Sequence, residues 1–553
     1  MGKLAKIGLY INTVKHLKPS QVFYRIWRKV GGKTRLKPGY APSPDASKAD
    51  IAAIPVLPEL DFDPIFLDRF DCENLLCDKV DLLHHTEFID WRRSWHEELS
   101  TPLWRYNLHY CEYLLPLAKS YIDSSDPRFL DKGVEIIEAW IESNPRSGGG
   151  VGWDPYTIAM RVVNWLAFYG ELRGSFADCE HFVAKLNQSL AEQYVHLAMR
   201  LEKDLLANHY FEDLKALVLL ACYFHDDETY ALSYSLLLEQ VKEQILPDGM
   251  HFELSPMYHK IILEDCLRLA ATVGYRTQSG EAASIFRIHD MCDCLYSIER
   301  NTDRTPLFND SGDNVAKSRD ALLACARNNF DVTPRYKSNF PDAGYYLAEK
   351  KTDAGLVKLI FDAGRPGPEY AMGHVHCDAL SFECFVDGVP WVVNSGTFAY
   401  QDASRLEYKR SLAHNTVTWD GYEQHECWAP FRTARCSVCC CTKHDEGQKT
   451  ILEGVVRHYS GLTIKRTIEL SAEGLLVRDA SKDCMRLQSS FRYSSSCSSV
   501  PADAVSISDY APSFGEKNSA RCLTKSCSTG QLETWVLVFG GEAKETFDGR
   551  IES

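Results

Sequence analysis

From about residue 75 to 328, apolar side chains return every three to four positions, the spacing of one face of an α-helix. The pattern predicts helices over 107–123, 129–143, 156–170, 183–203, 209–224, 229–245, 257–273 and 282–298. The breaks are short and hold turn formers, as in Ser124-Ser125-Asp126-Pro127, Ser147-Gly148-Gly149-Gly150 and Pro247-Asp248-Gly249. Helical hairpins of similar length, without an identical repeat, stack into a solenoid or a closed α/α toroid. Beyond about 335 the texture changes to β-rich runs punctuated by Gly, Asp and Pro. Examples are 344–348, 356–361, 391–393, 416–419 and 534–539. Many short strands with no helical interludes predict an antiparallel sandwich.

The expected fold is therefore an α+β multidomain chain, an N-terminal incomplete α/α toroid followed by a C-terminal antiparallel β-sandwich. Expected boundaries are 1–70 for a basic N-terminal segment and linker or arm, 71–332 for the helical domain and 333–553 for the sandwich. Residues 38–66, rich in Pro, Ala and Asp, read as a linker or an extended arm.

Charge singles out the beginning. Residues 1–38 hold ten Lys/Arg and no acid, so the remainder carries −15 − 10 = −25. Leu4, Ile7, Ile11, Val14 and Leu17 recur there at roughly helical spacing. A secretory signal is a poor match, because Asn12, Thr13, Lys15 and His16 interrupt the apolar positions. Two readings remain: a basic amphipathic helix against an anionic membrane or a partner protein, or the same helix docked on the acidic body of its own chain. The 20 cysteines are scattered, which suits reduced thiols in the cytoplasm better than a disulfide framework. Cys436 and Cys439 have zinc-ligand spacing but lack a second pair. Nucleic-acid binding is disfavoured by the acidic body.

Four clusters carry candidate chemistry. Gly373-His374-Val375-His376-Cys377-Asp378 reads as a turn entering a strand, where residues two apart share a face. A pair of hydrogen-bonded surface histidines has the same spacing. Asn208-His209-Tyr210 opens a predicted helix, where Asn208 is equally an N-cap candidate. Glu253-Leu254-Ser255-Pro256-Met257-Tyr258-His259 runs from a loop into another helix. Ala413-His414-Asn415-Thr416-Val417 follows Arg405, Tyr408 and Arg410. An amide, a phenol, imidazoles and cations drawn from both domains suit a site in the cleft between them.

The order of these motifs resembles the heparinase II/III-like polysaccharide lyases. Further matches are Trp104-Arg105-Tyr106-Asn107-Leu108-His109-Tyr110, Trp153-Asp154-Pro155-Tyr156 through Arg161, and Asn394-Ser395-Gly396-Thr397-Phe398. The resemblance covers roughly residues 85–440. It implies β-elimination on a uronic-acid-containing polysaccharide or oligosaccharide. Asn208, helped by His209, would neutralise the uronate carboxylate, and Tyr258 and His374 would share the acid and base roles. Expected substrate contacts are Arg161, Glu253, His259, Arg405, Tyr408, Arg410 and Asn415.

No cofactor is required for that chemistry. The resemblance also implies a structural divalent metal, zinc first, on His376, Asn394 and His414, with Asn394 a neutral replacement for a carboxylate. A uronyl C5-epimerase and a non-catalytic glycan-binding protein share the fold and stand as alternatives. The expected setting is bacterial surface-polysaccharide metabolism in the cytoplasm, peripheral to the inner membrane through residues 1–38, beside lipid or a polysaccharide-assembly protein.

Overall fold

Helix formation follows the apolar periodicity closely wherever a polar N-cap precedes it. The computed structural model describes residues 3–97, 99–146 and 149–539, with side chains from residue 6 onward. Leu4, Ser147, Gly148 and the last stretch assigned to the sandwich, 540–553, lie outside the described side chains. Two helices, α1 (Lys3–Val14) and α2 (Pro19–Lys29), open the chain. The helical part then comprises α3 (Pro102–Tyr110), α4 (Leu114–Ser124), α5 (Pro127–Ser143), α6 (Pro155–Glu171), α7 (Glu180–Ala198), α8 (Ala207–Tyr223), α9 (Asp227–Gln244), α10 (Pro256–Thr277), α11 (Ile288–Glu299) and α12 (Arg319–Phe330), with shorter turns between.

Asp126 caps α5, Asp226 caps α9 and Ser255 caps α10, each through a side-chain oxygen that accepts a backbone N–H. The ring has two layers. α6, α8 and α10 pack side by side as its inner wall, and α5, α7, α9 and α11 lie outside them. Burial shows the difference: every residue of α8 except His209 is buried, whereas α9 buries one stripe.

Three predicted helices are cut short by tertiary contacts. The one over 107–123 breaks at Cys111, which adopts a left-handed backbone (φ +60°). That over 282–298 breaks at Arg287, also left-handed (φ +54°), whose guanidinium donates both to Asp290 in the first turn of α11 and to the carbonyls of Ile245, Leu246 and Pro247 at the end of α9. The helix from 183 ends at Ala198, and Leu201 N–H then bonds to Thr34 O at 3.0 Å. Of the two readings of residues 38–66, a free linker is ruled out and a packed arm fits, since Leu57, Leu60 and Phe66 are buried in the helical core.

Downstream, all strand pairs are antiparallel and form two main sheets, one of nine strands and one of five. Their facing sides interdigitate Leu359, Phe361 and Phe382 with Leu452, Ile468 and Val477. Cys439, Cys440 and Cys441 lie in Val438–Glu446, an edge strand of the five-stranded sheet, and the described cysteines are all unpaired.

Sandwich and helices are locked at their boundary. Lys358, on the strand Gly355–Asp362, donates to Ser297 O at 2.7 Å and Ile298 O at 2.8 Å, satisfying free carbonyls at the C-terminal end of α11. Burial pushes its ammonium down to about 7.

Candidate active site

The inner helices place their N-termini at one end of the ring, against the sandwich. Tyr156 stands in the first turn of α6, Asn208 and His209 in that of α8, and Tyr258 in that of α10. Together with the sandwich loop around His374 they line a cleft of about 980 Å³. Helix N-termini carry partial positive charge, so this end of the ring favours an anionic group.

Asn208 and Glu253 form the floor. Asn208 Nδ2 donates to Glu253 Oε1 and Oε2 at 2.9 and 3.0 Å, and its backbone N–H to Oε1 at 3.2 Å. The backbone on either side is held in unusual conformations: Leu206, Ala207 and Leu254 have φ of +63°, +52° and +56°. Non-glycine residues there cost about 1–3 kcal/mol each, and such strain gathers at functional sites. Beside the pair, His209 Nδ1 meets Glu202 Oε2 at 2.9 Å under the ring of Tyr156. Burial lowers the affinity of this imidazole for a proton. The Glu202 carboxylate, helped by Glu253 and Glu212, outweighs burial and holds His209 above its ordinary value.

Across the cleft, one carboxylate organises the histidines. Asp310 is fully buried, accepts from Nη1 and Nη2 of Arg405, and accepts from Thr397 Oγ1 at 3.1 Å. Its Oδ2 meets His374 Nδ1 and its Oδ1 meets His376 Nε2, each at 2.8 Å. Burial pushes this carboxyl up, but the Arg405 guanidinium and the two imidazole N–H groups hold it well below the usual range. His374 therefore carries its proton on Nδ1 and turns Nε2 toward the cleft, 3.8 Å from Glu253 Oε2.

The loop bearing Asp310 is tied to both walls. Ser255 Oγ, the cap of α10, donates to Asp310 O at 2.7 Å, while Asn309 bonds to Leu254 O and His376 N. The two histidines stand in a loop before the strand Phe382–Val386, not in a strand as the spacing predicts. They converge because Asp310 offers one oxygen to each.

Tyr258 completes the wall. Its ring centroid is 4.4 Å from that of His374, and its Oη is 2.8 Å from Tyr400 Oη. Burial, with Tyr400 and the Glu253 carboxylate nearby, pushes the phenol well above its ordinary value.

The cleft thus gathers Asn208, His209, Glu253, Tyr258 and His374. Six expected substrate contacts stand elsewhere, which corrects the sequence-based assignment. Arg161 is buried over Trp140, bonded to Gln193 and Gly152 O. His259 bonds to Met291 O inside the ring, and Asn415 uses its amide on Phe382 O and Val393 O. Tyr408 stacks on Phe398, and Arg410 pairs with Glu407 on the surface. Arg405 stands behind the wall, on Asp310. Asp310, Tyr400, Glu202 and Tyr156 join the site without having been singled out. Tyr156 lay inside a quoted motif, whereas Asp310 sits in a polar loop with no periodic signal.

The expected metal ligands are adjacent but not equivalent. His376 Nδ1 and His414 Nε2 are buried without hydrogen-bond partners, and their rings are 5.3 Å apart. Burial pushes His376 down to about 4 and His414 well below its ordinary value, so both are neutral. Each imidazole has its other nitrogen on an oxygen, of Asp310 or of Asn394, the usual support for a ligating histidine. The Asn394 carbonyl is taken by Ser381 Oγ at 2.6 Å, so it supports the pair instead of supplying a third ligand. Asp378 accepts from Asn309 N–H.

Residues 70–337 match the heparinase II/III N-terminus and residues 332–547 the heparinase II/III-like C-terminal domain. The chain belongs to the heparinase II/III-like family. Among curated members, the heparin-sulfate lyase of Pedobacter heparinus is 24% identical over 354 residues, 57% of this chain and 52% of the relative. The heparin-sulfate lyase of Bacteroides thetaiotaomicron is 22% identical over 399 residues, covering 63% and 57%. This family member thus spans a little over half the length of those relatives. Its fold is that of a crystal structure of heparinase III (TM-score 0.65, 17% identity, 95% of this chain and 92% of that one). A heparan sulfate lyase structure from Pedobacter heparinus is also similar, at a TM-score of 0.57 and 18% identity over 90% and 86%.

Proposed function

We propose that the protein is a polysaccharide lyase that cleaves a uronic-acid-containing glycan by β-elimination. The observation that carries this reading is the placement of Asn208–His209, Tyr258 and His374 around one cleft. The uronate carboxylate would lie at the N-terminus of α8, where the cationic His209 and the Asn208 amide stabilise the second charge that develops when C5 loses its proton. His374 Nε2, its tautomer fixed by Asp310, takes that proton. The C4–O4 bond then breaks, and Tyr258 Oη–H protonates the departing oxygen, leaving a 4,5-unsaturated uronate. Proton return from His374 to Tyr258, whose rings touch, resets the site.

His374 and Tyr258 share one wall, so the C5 proton and O4 leave from the same face of the sugar. In 4-linked D-glucuronate those two substituents are on one face; in L-iduronate they are opposed. Six Lys/Arg and eight Asp/Glu line the cleft, which suits a sparsely charged chain better than a densely sulfated one. We place the reaction in the cytoplasmic metabolism of a bacterial surface polysaccharide, supported by the unpaired cysteines.

The test is ultraviolet absorbance of the unsaturated product with purified protein and a panel of glucuronate and iduronate glycans. Absorbance should rise with unsulfated glucuronate polymers. No rise, with solvent deuterium appearing at C5, would replace the lyase by an epimerase.

Protonated His209 gives a pH prediction. Above its raised pKa the imidazolium is lost and kcat/KM falls. Glu202→Gln removes the carboxylate that raises it, so the alkaline limb of kcat/KM should move to lower pH, with the acid limb in place. An unmoved limb would remove His209 from this role.

With Asn394 engaged by Ser381, only His376 Nδ1 and His414 Nε2 are left to face a cation, and among the described residues no three His, Cys, Asp or Glu are placed to hold one; the residues present therefore fall short of the four ligands of a structural zinc site. Metal analysis of purified protein, and melting before and after chelation, tests this; the expected result is no stoichiometric zinc and an unchanged Tm.

A further inference from the structure

The same two helices that close one side of the cleft leave an uncovered apolar face. Phe23, Ile26, Trp27 and Val30 of α2 and the turn after it are 58, 60, 43 and 72% exposed at i, i+3, i+4 and i+7. On α1, Ile7 and Ile11, one turn apart, are exposed as well, whereas Val14 faces the cleft. Six of the 22 large apolar side chains exposed among the described residues (Ile7, Ile11, Phe23, Ile26, Trp27 and Val30) belong to this face, so the patch is not random surface scatter.

The opposite faces explain why these helices are held in place. Tyr10 packs edge-on against Trp428 at 4.8 Å, Trp428 Nε1 donates to Thr13 Oγ1 at 3.0 Å, and Gln21 is buried with its amide on Leu205 O. Arg28 pairs with Asp204, and Lys18 with Glu243. Lys6, Lys15, Lys29 and Lys33 are exposed, flank the apolar stripes, and have no ion pair among the described residues. No acid interrupts residues 1–38, while the rest of the chain carries −25 (−15 − 10). Apolar side chains ringed by free cations, with a Trp and a Phe among them, have the composition of a helix seated in the headgroup layer. The acidic remainder would be repelled from the same lipids, which orients the molecule with α1 and α2 downward.

We propose that the outer face of α1 and α2 docks on an anionic lipid bilayer, so that the cleft lies directly above the membrane. No helix among the described residues is long and apolar enough to cross one, and docking needs none.

The test uses the full chain and no glycan, so it stands apart from the lyase reading. Protein is sedimented with phosphatidylcholine vesicles and with mixed phosphatidylcholine–phosphatidylglycerol vesicles. Wild type should pellet with the anionic vesicles alone and be released by salt. Phe23→Ser with Ile26→Ser, and separately Lys15→Glu with Lys29→Glu, should each weaken binding about tenfold or more, with circular dichroism and Tm unchanged. None of these four side chains lines the cleft. Wild type that stays in the supernatant, or variants that bind like wild type, would overturn the proposal. So would a dimer in light scattering that Phe23→Ser with Ile26→Ser dissolves, since a second copy would then cover the stripe.

Discussion

Tyr258→Phe should abolish product formation almost completely while leaving the fold intact. The change removes one oxygen, whose partner in the structure is Tyr400 Oη at 2.8 Å. The ring still packs on His374 and Met257 still fills its pocket, so Tm should shift little. Without the phenol the departing O4 leaves as an alkoxide or waits for water. Loss of a positioned general acid costs about 10²–10⁴ in rate, and it should fall on kcat with KM nearly unchanged. The phenol is pushed well above its ordinary value by burial, so it stays protonated at neutral pH and is available as the acid and not as the base. A variant keeping more than a tenth of wild-type kcat would take Tyr258 out of the mechanism. His374→Ala in parallel distinguishes the two roles: with an activated substrate whose leaving group needs no proton, Tyr258→Phe should recover and His374→Ala should not.

Asp310→Asn should damage both stability and rate. The carboxylate is the buried counter-ion of Arg405 and the acceptor for His374, His376 and Thr397. Removing its charge leaves a guanidinium uncompensated in the interior, which costs about 3–5 kcal/mol when one partner of a buried pair is lost. Denaturant unfolding would measure it. The pH sign follows from the depressed carboxyl. Its contribution is complete above the ordinary carboxylate range and is lost as pH falls through the lower folded value. The gap between wild type and Asp310→Asn should thus be constant around neutrality and close only in strong acid.

The effect on rate has a separate origin. Asn at this position offers an N–H where His374 Nδ1–H needs an acceptor, which favours the wrong tautomer; orienting carboxylates of this kind are worth on the order of 10²–10⁴. Adding Arg405→Met should restore stability without restoring kcat. A double variant that regained both would reduce Asp310 to a structural ion-pair partner.

Much of this architecture is legible in the chain, because inner and outer helices differ in pattern and Asp or Ser caps mark the starts of α5, α9, α10 and α12. Tyr258 sits in the first turn of a helix so marked, whereas Asn208 opens α8 behind Leu206, without a side-chain cap and inside the helix instead of capping it. What escapes is everything set by packing at a distance. Cys111 and Arg287 break helices that periodicity would continue, both with a left-handed backbone, and Arg287 also reaches back to the carbonyls at the end of α9. Arg161 is indistinguishable in sequence from a substrate-binding arginine, yet Trp140 and Gln193 enclose it. Asp310 carries no local signature at all: its importance comes from four partners spread over residues 374–405, brought to it by the fold. The basic start of the chain divides two ways in sequence, and the structure shows one face docked on the acidic body while the other is bare.

Those first helices also constrain how the cleft works. α1 is fastened to the sandwich through Trp428, and α2 to the helical ring through Asp204 and Leu205. A hinge that swung the ring away from the sandwich would have to tear these fastenings, as well as the Lys358 lock behind them. Those fastenings oppose any widening of the gap between the walls, so on the proposed lyase reading the width of the cleft, more than any jaw-like closure, would decide which branched or substituted chains are admitted.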